Sequence, residues 1–167
     1  LDQEALKALL PAMGLYFDAG RDNPVYNIAR MKGYSFSSAF IDLHTDPRSG
    51  MSGDARIGAL QLGGLLLDTV QAHILQDSTG VQLYGQVKNN QKNPTPMEVG
   101  LKAYVLSAGA GMELRYLDSE GEKGVDLGVE ATLGEGGVNI RLYPEHPVLA
   151  YRNFTVNKDN FIFLGKD

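Results

Sequence analysis

Few of the side chains that do chemistry in proteins stand in a working arrangement here. Histidine occurs three times, at His44, His73 and His146. His44 and His146 fall in stretches that read as turns, His44-Thr45-Asp46-Pro47-Arg48-Ser49-Gly50 and Pro144-Glu145-His146-Pro147. His73 falls on the polar side of an alternating strand, beside Gln71. None has a partner at a metal-ligand spacing such as HxH or HExxH. Cysteine is absent, which removes disulfides, thiolate metal sites and thiol nucleophiles and leaves the compartment open. Asp118, Glu120 and Glu122 lack the spacing of a calcium loop and read as a solvated charged turn. Ala108-Gly109-Ala110-Gly111 lies between two antiparallel strands with no helix after it, the wrong setting for a phosphate loop and the right one for a hairpin turn. Asn153-Phe154-Thr155 matches the glycosylation acceptor pattern, a common chance match, and no serine has a nucleophile-elbow context. The expectation is a protein that is not an enzyme, with no catalytic residue, metal or cofactor.

The remaining signal is apolar surface laid out with a two-residue period. In GVDLGVEATLGEGGVNIRLY (124–143), Val125, Leu127, Val129 and Leu133 alternate with polar or small residues, and after a glycine-rich turn Val138, Ile140 and Leu142 do the same. Side chains of a strand point alternately to its two faces, so each arm is apolar on one side and polar on the other. The pattern recurs upstream. Val70, Ala72 and Ile74 answer Val81 and Leu83 across the turn Asp77-Ser78-Thr79-Gly80, and Val99, Leu101, Ala103 and Val105 answer Met112, Leu114 and Tyr116. An earlier cycle has Ala39, Ile41 and Leu43 followed by Ala55, Ile57 and Ala59. Gly33 to Gly64 and Asp46 to Asp77 both span 31 residues, so one hairpin unit is used twice. Asn89 to Pro96 holds two prolines and reads as a loop. Phe161-Ile162-Phe163-Leu164 reads as a final strand at the edge of the sheet.

Residues 1–32 read differently: a short helix capped by Asp2 and ended by Pro11, with Leu6, Leu9 and Leu10 on one side, then a short alternation at Leu15, Phe17 and Ala19 broken by the turn-rich Gly20-Arg21-Asp22-Asn23-Pro24, and an irregular remainder with room for a second short helix over Val25 to Met31. Two segments follow, a cap over 1–32 and an antiparallel meander over 33–167. The fold class is all-β with one or two short N-terminal helices. Roughly ten strands sharing one apolar face must curl, close or fold over. A closed sandwich or barrel whose halves bury one another, binding protein or glycan through its loops, satisfies that requirement as well as an open groove does.

Composition narrows the partners. The 167 residues carry a net charge of −5 with scattered basic residues, which argues against nucleic acid. No apolar run of membrane-spanning length occurs. The chain starts at Leu1 without a signal peptide, which reads as a segment of a longer protein.

The stretch 63–87, with Gly64, Leu67-Asp68-Thr69-Val70, Ala72, Ile74, Asp77 to Gly80, Val81 and Leu83, resembles the translocation and assembly module family TamB, within the AsmA-like repeating-β-groove proteins. So does 124–167, most specifically from Pro147 through Tyr151-Arg152-Asn153-Phe154-Thr155-Val156 to Asn160-Phe161. The resemblance implies a sheet folded lengthwise into a groove, β-taco or part-open barrel with an apolar interior. It implies a periplasmic segment of an envelope-bridging protein of a Gram-negative bacterium, anchored in the inner membrane and reaching an Omp85-type outer-membrane partner. The cargo it implies is phospholipid acyl chains or nascent outer-membrane protein strands. The groove lining would be the residues named above, from Val70 to Leu142. Strand cargo would add at the Phe161 to Leu164 edge.

Overall fold

The structure is a computed structural model and describes residues 2–165. Leu1, at the head of the expected cap, and the last two residues of the expected meander lie outside them. In chain order the elements are α1 (Gln3–Ala8), β1 (Met13–Gly20), α2 (Pro24–Met31), β2 (Tyr34–Ser35), β3 (Ser38–Asp46), β4 (Gly50–Leu62) and β5 (Leu65–Gln76). Then come β6 (Gly80–Asn89), β7 (Met97–Leu106), β8 (Gly109–Leu117), β9 (Lys123–Gly134), β10 (Gly137–Leu149), β11 (Arg152–Asn153) and β12 (Ile162–Gly165).

Three of the turns between successive strands carry an aspartate that binds the turn's own backbone. The Asp46 carboxylate accepts hydrogen bonds from the backbone N–H groups of Arg48 (2.7 Å) and Ser49 (3.1 Å). Thirty-one residues later Asp77 repeats the arrangement, accepting from the N–H groups of Thr79 (2.7 Å) and Gly80 (3.2 Å). The 31-residue spacing is thus one turn chemistry used twice. Asp118 makes a related turn between β8 and β9, accepting from the N–H groups of Glu120 and Glu122. Such side-chain-to-backbone bonds mimic a backbone turn.

The strands form one antiparallel sheet in the order β1-β3-β4-β5-β6-β7-β8-β9-β10-β11, with β2 on β4 and β12 on β10. Among the described residues β1 pairs only with β3, so the sheet is open, not closed into a barrel. Among the described residues no second sheet stacks on it, and the sandwich that the sequence left open is not what they build. The accessible surface is 10952 Å², against about 8100 Å² for a compact monomer of this mass. The excess is that of a single layer. Core is correspondingly scarce: Ala19, Phe36, Ala39, Leu67 and Val148 are the buried apolar residues among those described.

Three details differ from the sequence reading. His44 lies inside β3 and His146 inside β10, not in turns. Asp46 closes its turn within 47–49, so pairing runs on to Asp46↔Gly50 and keeps His44 in the ladder. In β10 the register against β9 shifts between Tyr143 and Val148, where Pro144 and Pro147 lack the N–H that a ladder needs. The third concerns α1. Asp2 caps it as expected, accepting from the N–H groups of Glu4 and Ala5 at 3.1 Å. Its buried side, however, is Gln3 and Lys7, while Leu9 is 80% exposed. A six-residue helix lying beside β4 presents too little length to turn its leucines onto the sheet.

The second helix does cover apolar surface. Asn23 caps it (Oδ1 accepting from the Val25 N–H, 2.9 Å), and Tyr26 and Ala29 pack with Phe36 on Phe17, Ala19, Ala39 and Ile57. The Tyr26 and Phe36 rings meet edge to face at 5.2 Å.

Phe36→Ala should therefore lower stability by about 3 kcal/mol in urea unfolding, the usual cost of emptying a buried aromatic site. Acid should act at the two aspartate turns. Backbone hydrogen bonds to Asp46, and the Thr79 hydroxyl and backbone N–H groups on Asp77, hold both carboxyls below the ordinary 3.8. Folded values below the unfolded ones mean stabilisation that is present above that pH and lost as pH falls through the folded values. Thermal melts of the Asp46→Asn, Asp77→Asn double variant should lose part of the wild-type fall in melting temperature between pH 5 and 2.

Candidate binding surfaces

Register decides which residues share a face, and here it aligns the apolar positions of every hairpin. One row runs Leu15, Leu43, Gly53, Ile74, Leu83, Ala103, Met112, Val129 and Leu142, across nine strands. The next runs Phe17, Ile41, Ala55, Ala72, Gly85, Leu101, Leu114 and Leu127. A third runs Ala19, Ala39, Ile57, Val70, Val87, Val99, Tyr116 and Val125. On the other side of the first row, Val81, Val105, Ala110, Ala131, Ile140 and Ile162 make a fourth, and Leu133, Val138 and Leu164 a short fifth. Every expected lining residue, from Val70 to Leu142, lies on this one face.

The α2 cluster covers the β1, β3 and β4 end of the face. Over β5 to β10 the described residues place no helix or sheet against it. Met112 is 51% exposed, and Val105, Leu114, Leu133 and Leu142 are exposed too. A trough of about 550 Å³ lies there, floored by Ile74, Leu83, Ala103, Val105, Met112 and Val129. At the rim, Tyr116 meets Tyr151 edge to face at 6.4 Å. The hydrogen bond between them, with partial burial, pushes the Tyr151 hydroxyl up to about 12.

Of the expected edge strand, Ile162 to Leu164 pair with β10 through Gly137 to Ile140, while Phe161 precedes the strand. Ile162 and Leu164 continue the apolar face, Phe163 points to the other, and all four residues are exposed. Neither β1 nor β12 has a strand on its outer side among the described residues.

The opposite face is polar and cross-braced. Tyr104 on β7 lies over Gly111 on β8 and donates to Glu130 on β9 at 3.5 Å. Tyr143 on β10 lies over Gly128 on β9 and donates to Glu113 on β8 at 3.2 Å. Each brace ties three strands, and each carboxylate also meets a cation, Arg141 on Glu130 and Lys102 on Glu113. Burial, then the bond with Tyr104 and the negative charge of Glu113, raise the Tyr143 hydroxyl well above its ordinary value. The Glu130 hydrogen bond likewise raises Arg141. A larger hollow, about 1050 Å³, opens over this face, with Arg56, Gln71, His73, Gln86, Lys102 and Arg115 in its lining.

Two of the three histidines serve this polar face. His73 pairs with Asp54 at 2.9 Å, and His44 with Asp42 at 2.7 Å. No group of three metal-ligating side chains occurs among the described residues. A further polar knot escaped the sequence reading. Asp68 accepts from the backbone and side chain of Asn90 and from Asn93, while buried Asn89 bonds the backbone of Asp68, Leu66 and Thr95. It pins the 90–96 loop against β5, and the asparagines of that loop were its one visible sign. Among the described residues, no helix is long and apolar enough to cross a membrane.

This chain matches no protein-family model, no curated protein and no solved structure.

The braces predict a contrast between two strand glycines. A Cβ at Gly128 would stand 2.4 Å from the Tyr143 ring, whereas one at Gly100 meets nothing within 4 Å. Gly128→Val should cost roughly 1–3 kcal/mol in urea unfolding by displacing the brace. Gly100→Val should be neutral or stabilise by up to about 1 kcal/mol, since glycine is a poor strand residue.

Proposed function

We propose that this chain is a periplasmic segment of a cell-envelope protein of a Gram-negative bacterium, and that its apolar sheet face carries phospholipid acyl chains toward the outer membrane. One observation carries the reading: apolar rows continuous across the sheet, left bare over β5 to β10. Acyl chains suit such a face. They need no directional partner, and each CH₂ removed from water contributes about 0.8 kcal/mol. The trough offers no convergent polar groups that would select a small polar ligand. The envelope setting, the inner-membrane anchor of the parent protein and its Omp85-type partner rest on the resemblance of 63–87 and 124–167 to TamB.

The free edges favour a second cargo. Phe161-Ile162-Phe163-Leu164 carries no charge and no proline, the usual guards of an edge strand. A nascent outer-membrane protein strand can add there by main-chain hydrogen bonding and lay its apolar side chains on the same face.

Native mass spectrometry of the gently purified protein, with organic extraction of what travels with it, tests the reading. The expected result is phospholipid adducts that Val129→Asp, Ile140→Asp removes while its circular dichroism stays that of the wild type. Adducts that persist in that variant, or a clean mass from wild type offered phospholipid in detergent, would contradict it.

A further inference from the structure

The hollow over the polar face is unused by lipid carriage, and its charges do not cancel in pairs. Three carboxylates line it, and each has a partner: Asp54 with His73, Glu113 with Lys102 and Tyr143, Asp126 with Lys123. Two cations line it without one. Arg56 and Arg115 make no ion pair or hydrogen bond among the described residues, although Arg115 stands directly opposite Asp126. A guanidinium offers a rigid fork of donors matched to carboxylate, sulfate or phosphate.

The two arginines belong to one cross-strand rung, Arg56-Gln71-Gln86-Gly100-Arg115. Four strand spacings of about 4.8 Å put their backbones about 19 Å apart across the sheet. A lone phosphate cannot bridge that span. What lies between is suited to hydroxyl groups. Gln71 donates to Gln86 at 2.7 Å and Gln86 to Glu98 at 3.2 Å, which leaves the Gln71 carbonyl and the second hydrogen of each amide open. Gly100 leaves the floor bare, with nothing within 4 Å of where a Cβ would stand, whereas tyrosines roof Gly111 and Gly128 on the same face. Phe40, directly opposite Arg56, and Tyr84 add aromatic surface for the C–H side of a sugar ring.

We propose that this hollow binds an acidic oligosaccharide laid across β4 to β8, with acidic groups on Arg56 and Arg115 and a sugar ring seated over Gly100. Nucleic acid fits poorly: three carboxylates against four full cations leave the lining only slightly positive, too little for a phosphate at every step. A glycan acidic at intervals matches two separated forks with an amide floor between them.

Isothermal titration of the intact chain with pentagalacturonate, a sulfated pentasaccharide, maltopentaose and a short oligothymidylate tests the proposal. Saturable binding of at least one acidic pentasaccharide is expected, with maltopentaose at least tenfold weaker. Arg56→Gln and Arg115→Gln should each weaken it at least fivefold, and the double variant should abolish it. Gly100→Trp should fill the floor and block binding while leaving the melting temperature unchanged or raised. No binding of either acidic probe, equal binding of maltopentaose, tighter binding of oligothymidylate, or full binding by the double arginine variant would overturn it.

Discussion

Everything here depends on strand register. A strand alternates with a period of two, so a slip of one residue in any hairpin would carry its apolar set to the polar face and break the rows. Those rows run without a slip from β1 through β9. Turn chemistry holds them, since Asp46, Asp77 and Asp118 each tie their own backbone into a short, fixed reversal. The register shifts at the end of β8, after Tyr116 has met Val125, and again in β10, where two prolines interrupt pairing and the apolar side is recovered at Leu149 opposite Val125.

A sheet one layer thick has to be held together without the core that usually stabilises a domain of this size. The backbone ladder supplies most of the cohesion, and the polar face adds cross-bracing. The Tyr104 and Tyr143 braces and the Asp68 knot join strands that are not neighbours in the ladder, or loops to strands. Apart from the α2 cluster on β1, β3 and β4, these side-chain braces gather on the polar face, and over β5 to β10 the described residues leave the apolar face uncovered. That division lets one fold present two surfaces of opposite character, a greasy one on one side and a charged, amide-floored one on the other.

Much of this was legible from period alone. Alternation located the hairpins from Ala39 to Leu142, and the two aspartate turns showed as a 31-residue spacing. The second helix was readable from the run Val25 to Met31 only as an option, because so short a run carries too little pattern, and Pro24, which opens the helix, read as part of the turn before it. What stayed hidden was whatever needed pairing partners. Tyr104 and Glu130 are far apart in sequence and meet only because Gly111 stands between them in the ladder. The same holds for Arg56 and Arg115, whose shared rung exists only once five strands are in register. The burial of Gln3 and Lys7 in place of leucines is an outcome of where α1 lies, which its composition does not encode.

The most direct test of the bare apolar face uses the absence of cysteine. A solvatochromic dye on Leu114→Cys would stand on that face, and the same dye on Glu113→Cys on the other. Titrated with phospholipid in detergent below its micellar range, the dye at position 114 should shift to the blue and saturate, while that at 113 stays in water. A dye at 114 that is already blue without lipid, or one that responds no more than its neighbour at 113, would contradict the account.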